Sequence, residues 1–164
     1  MKTILVVIVF ALFLTSCQNK ADNKPNILFL LADDLGYGEL GVYGQEVIKT
    51  PNLDSLAKQG MRFTDFYAGN AVCSPSRAVL QTGKSSSRNT IRGNKGYFAD
   101  DGWMRVALKK DEITLGEMLK KAGYQTAFIG KWHLDDPKDI STWAYNRGFD
   151  FAIQEQWGIG EGGI

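Results

Sequence analysis

The apolar positions of this chain fall into runs separated by polar, glycine-punctuated stretches, and each run predicts an element. Ile4 to Leu14 is unbroken, with Lys2 before it and small Thr15 and Ser16 after it. A cationic start, a short apolar centre and small residues predict a secretory signal rather than a comfortable membrane span. Asn26 to Asp34, "NILFLLADD", is a second continuous run that stops at two acids. It predicts a buried parallel strand, at whose carboxyl end ligands gather in open α/β sheets. "TPNLDSLAKQG" reads as a helix, with Pro51 near its start, Leu53, Leu56 and Ala57 on one face, and Gly60 as the stop. Met61 to Gly69 alternates Met61, Phe63 and Tyr67 with polar neighbours, which predicts a strand running into a loop.

From Ser74 the pattern turns helical, with Pro75 tolerated in the first turn, Ala78, Val79 and Leu80 inward, and Gly83 as the end. Cys73 then lies at a helix N-terminus, where amides and dipole favour an anion. "SSSRNTIRGNKGYF" is polar and broken by glycine, hence a loop. Further on, Ile113, Leu115, Met118 and Leu119 predict a helix, Gly123 its cap, and Tyr124 to Ile129 a strand ending in polar Lys131 and His133. No internal repeat is present, and the order β-α-β-α-α-β predicts an α/β fold around a mostly parallel sheet.

Composition narrows this little. With 164 residues, 44% hydrophobic and 23% charged, the chain suits one globular domain, and a formal charge of +1 gives no sign of nucleic-acid binding. The cysteines say more. "LTSC" resembles a bacterial lipobox, which implies that Cys17 is diacylated and becomes the mature N-terminus of an exported periplasmic or outer-membrane lipoprotein. An uncleaved anchor helix and a plain signal peptide are the alternatives. The expected division is a signal over 1–16, a lipidated cysteine and polar tether over 17–25, and a catalytic part over 26–164. A Cys17–Cys73 disulfide is then disfavoured, and Cys73 is left as an odd cysteine.

The polar groups at these ends could each be unremarkable. Asp33 and Asp34 could close a strand, or begin a hard-cation site needing further oxygens. His133, the only histidine, and Lys131 could be packed or solvated. Arg77, four residues after Cys73, would share its helix face and could fork onto an oxyanion. On residues alone, a thiol nucleophile activated by the helix terminus and Arg77 stays open.

Together these stretches resemble one family. "CSPSRAVLQTG" matches the sulfatase signature, a CxPxR followed by the pair Thr82-Gly83. "PNILFLLADDLGYGELGVYG", "TPNLDSLAKQGMRFTDFY", "TLGEMLKKAGYQTAFIGKWHL" and "NRGFDF" resemble the same family in the same order, closest to arylsulfatase-A-like enzymes. The resemblance covers nearly all of Pro25 to Phe151 and implies an alkaline-phosphatase-like α/β sandwich, incomplete in this chain. It implies that a maturation enzyme reads CxPxR, with Pro75 and Ser76 part of that signal, and oxidises Cys73 to Cα-formylglycine. The hydrated aldehyde then attacks the sulfur of a sulfate ester with one hydroxyl, the alcohol leaves, and the second hydroxyl collapses the intermediate to release sulfate and restore the aldehyde. It further implies a Ca²⁺ on Asp33, Asp34 and residue 73, Arg77 steadying the charge, Lys131 bridging residue 73 and sulfate, and His133 assisting elimination as a base.

The departures matter too. A later Asp-Asn metal pair, a second histidine, a second lysine and the histidines that many relatives carry after the "TGK" equivalent have no counterpart, and Ser85 to Arg88 stand in the last place. The chain therefore reads as the N-terminal part of an exported sulfatase that is inactive or incomplete by itself, with a weak Ca²⁺ shell and an apolar sheet edge left open. The substrate is an aryl sulfate or a sulfated glycan, the glycan preferred. The competing readings are a non-catalytic lipoprotein remnant and a related phosphatase or phosphodiesterase with Thr or Ser as nucleophile and zinc.

Overall fold

The computed structural model describes residues 24–94, 96–99 and 102–155, so the signal and lipobox readings lie outside the described residues. The chain divides into an N-terminal unit ending at Leu35 and a second unit from Gly36 onward.

In the N-terminal unit, residues 26–31 form neither strand nor helix, and Ile27, Leu28, Phe29, Leu30 and Leu31 are each more than half exposed. This corrects the expected buried strand. A strand exists through the N–H and C=O groups of a neighbour, and apolar composition cannot supply that neighbour. Asp33 and Asp34 follow in a bend, with Asp34 in the left-handed region at φ 58°.

The second unit opens on two short 3₁₀ turns and helix α1, Pro51–Gln59, with proline in its first turn. Asp54 ties the turns to the helix: its Oδ1 accepts from the Val42 amide at 2.8 Å and the Thr50 hydroxyl at 3.0 Å. A Cβ at Gly41 would press on the Asp54 carboxylate, which would have to shift out of these hydrogen bonds. The predicted helix forms, yet Leu53 and Leu56 on its apolar face stay exposed. The strand predicted over Met61 to Tyr67 does not form; this stretch is exposed coil and bends, for the same want of a pairing neighbour.

Helix α2, Cys73–Thr82, starts one residue before the predicted Ser74 and stops at Gly83, whose φ of 65° lets its amide close back on Val79 O at 2.8 Å. Ala78 on its inner face joins the core with Ile91, Leu108, Trp132, Leu134, Ala144 and Phe149. An antiparallel hairpin, β1 (Gly96–Ala99) and β2 (Gly102–Arg105), follows where a loop was expected. Helix α3, Leu115–Lys121, has a capping box: Thr114 Oγ1 accepts from the Glu117 amide at 3.1 Å and Glu117 Oε2 from the Thr114 amide at 2.8 Å.

Strand β3, Ala127–Gly130, lies parallel to β4, Phe151–Gln154, in the register Ala127 to Phe151. Thr126 and Asp150 set that register, since Asp150 Oδ2 accepts the Thr126 amide at 3.0 Å and the Asp150 amide returns to Thr126 O at 2.9 Å. The strand starts three residues after the predicted Tyr124 and ends one residue after the predicted Ile129. Phe128 and Ala152 pack on the core face, where Phe128, Trp132 and Phe149 meet at ring separations of 5.2 to 5.9 Å. Arg147 locks β4's approach to α3, donating to Glu117 Oε1, Leu108 O and Glu112 O at 3.0, 3.2 and 2.6 Å. The "NRGFDF" stretch is thus a structural clamp. The described residues form an incomplete α/β arrangement with one small parallel sheet.

Candidate active site

The site is built from the start of α2 and the segment leaving β3. Val72 is extended and begins the helix without a side-chain cap; the Ser74 amide is accepted by Asn94 at 3.0 Å, the Ser76 amide by Val72 O at 3.1 Å, and Pro75 has no N–H to satisfy. On the other side, Trp132 is buried in the core with its indole N–H donating to Thr142 O at 3.0 Å. Its half-buried neighbours Lys131 and His133 are therefore held on a rigid backing.

Three contacts join the two elements. Cys73 Sγ lies 3.5 Å from His133 Nδ1. Buried Ser74 donates its hydroxyl to His133 O at 2.8 Å. One turn on, Arg77 Nη1 donates to Lys131 O at 2.6 Å. His133 itself sits in the left-handed region at φ 55°, a conformation costing a non-glycine residue about 1–2 kcal/mol and kept only where surroundings impose it. Here Ser74 grips its carbonyl, and the next residue, fully buried Leu134, accepts the Leu108 amide at 2.9 Å.

Four predicted site residues, Cys73, Arg77, Lys131 and His133, are therefore brought together on two adjoining elements. An imidazole set against the side chain of residue 73, with Arg77 tied to the Lys131 backbone beside it, makes a place for a nucleophile served by a base. Asp33 and Asp34 belong to the N-terminal unit, where both are exposed. Their adjacent carboxylates are hard oxygen donors of the kind Ca²⁺ takes, though two are fewer than a full shell. Among the described residues, no group of three or more His, Cys, Asp or Glu side chains is gathered as a metal site.

The sequence reading missed Asn94, whose Nδ2 donates to Cys73 Sγ at 3.1 Å and whose Oδ1 accepts the Ser74 amide at 3.0 Å. In sequence it is one polar residue of a glycine-rich loop, and nothing in that pattern brings it back to residue 73. Behind the site, buried Asp135 meets buried Arg105 at 3.3 Å. Burial pushes the Asp135 carboxyl above its usual range, and the Arg105 guanidinium only partly opposes this.

The family model for sulfatases matches residues 25–159. The chain belongs to the sulfatase family. This sulfatase chain is 46% identical over 123 residues to human N-acetylgalactosamine-6-sulfatase, a match covering 70% of this chain and 22% of that protein. It superposes on the crystal structure of Ps i-CgsB with a TM-score of 0.71 at 34% identity, covering 82% of this chain and 29% of that one. A protein solved in complex with its substrate D-glucosamine-2-N,6-O-disulfate gives a TM-score of 0.56 at 40% identity, covering 68% and 21%. The sulfatase chain thus spans between about a fifth and three tenths of the length of these relatives, and the alkaline-phosphatase-like α/β fold class is theirs and its own.

Proposed function

We propose that the protein hydrolyses sulfate esters, with residue 73 as nucleophile after conversion of Cys73 to formylglycine by a maturation enzyme that reads "CSPSR". The observation that carries this reading is the approach of His133 Nδ1 to the side chain of residue 73, on a backbone tied to the same helix by Ser74 and Arg77.

Formylglycine, once formed, would supply a hydrated aldehyde hydroxyl as the nucleophile, and Asp33 and Asp34 are the carboxylates that would hold Ca²⁺, which would supply charge neutralisation for sulfate oxygens. The chain's own residues do the rest. Lys131 and Arg77 attract and orient the anionic ester. His133 Nδ1 exchanges a proton with the side chain of residue 73, and Ser74 keeps the imidazole aimed there. A tethered imidazole spends no orientational freedom in reaching the proton.

A sulfated amino sugar or glycan is the substrate class we infer. One relative is an N-acetylgalactosamine-6-sulfatase and another was solved with a glucosamine disulfate. Export with a diacylated Cys17 is part of the same proposal, with 1–16 as signal, 17–25 as tether and 26–164 as catalytic part. Among the described residues no helix is long and apolar enough to cross a membrane.

The test is sulfate release from N-acetylglucosamine-6-sulfate and from 4-nitrocatechol sulfate by the protein made together with a maturation enzyme. Release that falls at least 100-fold in His133→Ala and on chelation of Ca²⁺ is expected. Release indifferent to both changes, or no release beside an active maturation enzyme, would overturn the proposal for this chain.

A further inference from the structure

Asn94 lies beside residue 73 and has no part in the reading above. Its orientation follows from hydrogen-bond chemistry alone. The Ser74 backbone N–H can only donate, so the Asn94 atom 3.0 Å from it is the acceptor Oδ1. The other end of the amide, 3.1 Å from Cys73 Sγ, is then Nδ2 and donates. Val72 brings no side-chain cap to α2, so Asn94 caps the helix from 20 residues away, and the cap fixes the amide plane.

We propose that Asn94 is a donor of the active site, its Nδ2–H stabilising negative charge on the side chain of residue 73. The inference rests on the sulfatase reading of residue 73 given above and extends it by one residue. A donor held in place by a second hydrogen bond needs little reorganisation when charge develops, and because Asn94 is exposed its effect is that of one hydrogen bond in competition with water. Residue 73 is thereby approached by a fixed donor in Asn94 and by a proton-exchanging group in His133. An oxygen nucleophile at residue 73 would be served by the same pair.

Asn94→Asp keeps an acceptor for the Ser74 amide and removes the donor; Asn94→Ala removes both and adds no charge. The full chain is made without a maturation enzyme, and alkylation of Cys73 by N-ethylmaleimide is followed by the mass of the tryptic peptide 63–77, which separates it from Cys17. Both variants should alkylate Cys73 about tenfold more slowly than the parent, the size of one hydrogen bond to a charged group. All three chains should react alike in urea. Native-state rates within about twofold of the parent for either variant would overturn the proposal: an unchanged Asp variant leaves only the cap, and an unchanged Ala variant leaves only charge repulsion. The readout involves neither conversion of Cys73 nor sulfate release, so failure of the sulfatase reading and failure of this one are separate results.

Discussion

Helices α1 and α2 carry similar amphipathic patterns, yet they end in different surroundings. Ser74, Pro75 and Ala78 of α2 are buried, and the helix is tied to the β3 exit through Ser74 and Arg77. No residue of α1 is buried, and Leu53 and Leu56 face outward. A helical period specifies which side chains share a face; what covers that face is decided by other segments. Chemistry needs the second condition, because a side chain can hold a proton at a fixed place only on a backbone that cannot move away. The site accordingly sits on α2.

The comparison breaks first at Trp132. Its replacement by alanine should cost about 3–5 kcal/mol in urea unfolding, since it removes the centre of the aromatic cluster behind Lys131 and His133. A second cut removes one member of the buried ion pair. Arg105→Met alone strands Asp135 in the interior and should cost about 3 kcal/mol, whereas Arg105→Met with Asp135→Leu should recover most of that loss. Recovery is the informative part, because burial outweighs the Arg105 charge in raising the Asp135 carboxyl.

Acid titration gives a smaller effect with a definite sign. Burial pushes the Glu112 carboxyl upward, but hydrogen bonds from Thr90 and the Lys109 amide, with the Lys84 ammonium, together hold it below its ordinary 4.5. A lowered folded value means that Glu112 stabilises the fold above about pH 4.5, and that this contribution fades as pH falls through the folded value. Glu112→Gln should flatten the stability profile in that acidic window, and an unchanged profile would contradict the assignment. Smallest of all, Leu56→Ala on α1 should shift unfolding by less than about 0.5 kcal/mol, as expected for an exposed position.

Legibility followed the range of the interaction that fixes each feature. All three helices could be read because Pro51, Pro75 and the closing glycines act within a turn or two of their own helix. The segments at 26–34 and 61–67 were read as strands from their own residues, but a strand is completed by a partner and neither has one among the described residues. The hairpin was missed because Tyr97-Phe98 and Trp103-Met104 stand among loop-forming residues; two short arms separated by Asp100-Asp101 were the signal to use. Strand β4 was missed for its brevity, and its register depends on Thr126 and Asp150, 24 residues apart.

The candidate site divides the same way. Cys73, Arg77, Lys131 and His133 were named from motifs and are assembled by α2 and the β3 exit. The Ser74 grip on His133 and the Asn94 cap could not be read, because each joins residues whose closeness exists only after folding. The left-handed backbone of His133 is likewise invisible in sequence, where only a glycine would announce it.

The most direct test of the central claim, that residue 73 is the nucleophile precursor at this site, is the mass of the tryptic peptide 63–77 after co-expression with a maturation enzyme. The account predicts a peptide about 18 Da lighter than the thiol form, the difference between CH₂SH and CHO, and loss of that species in Cys73→Ala. A peptide that keeps the thiol mass beside an active maturation enzyme would contradict it.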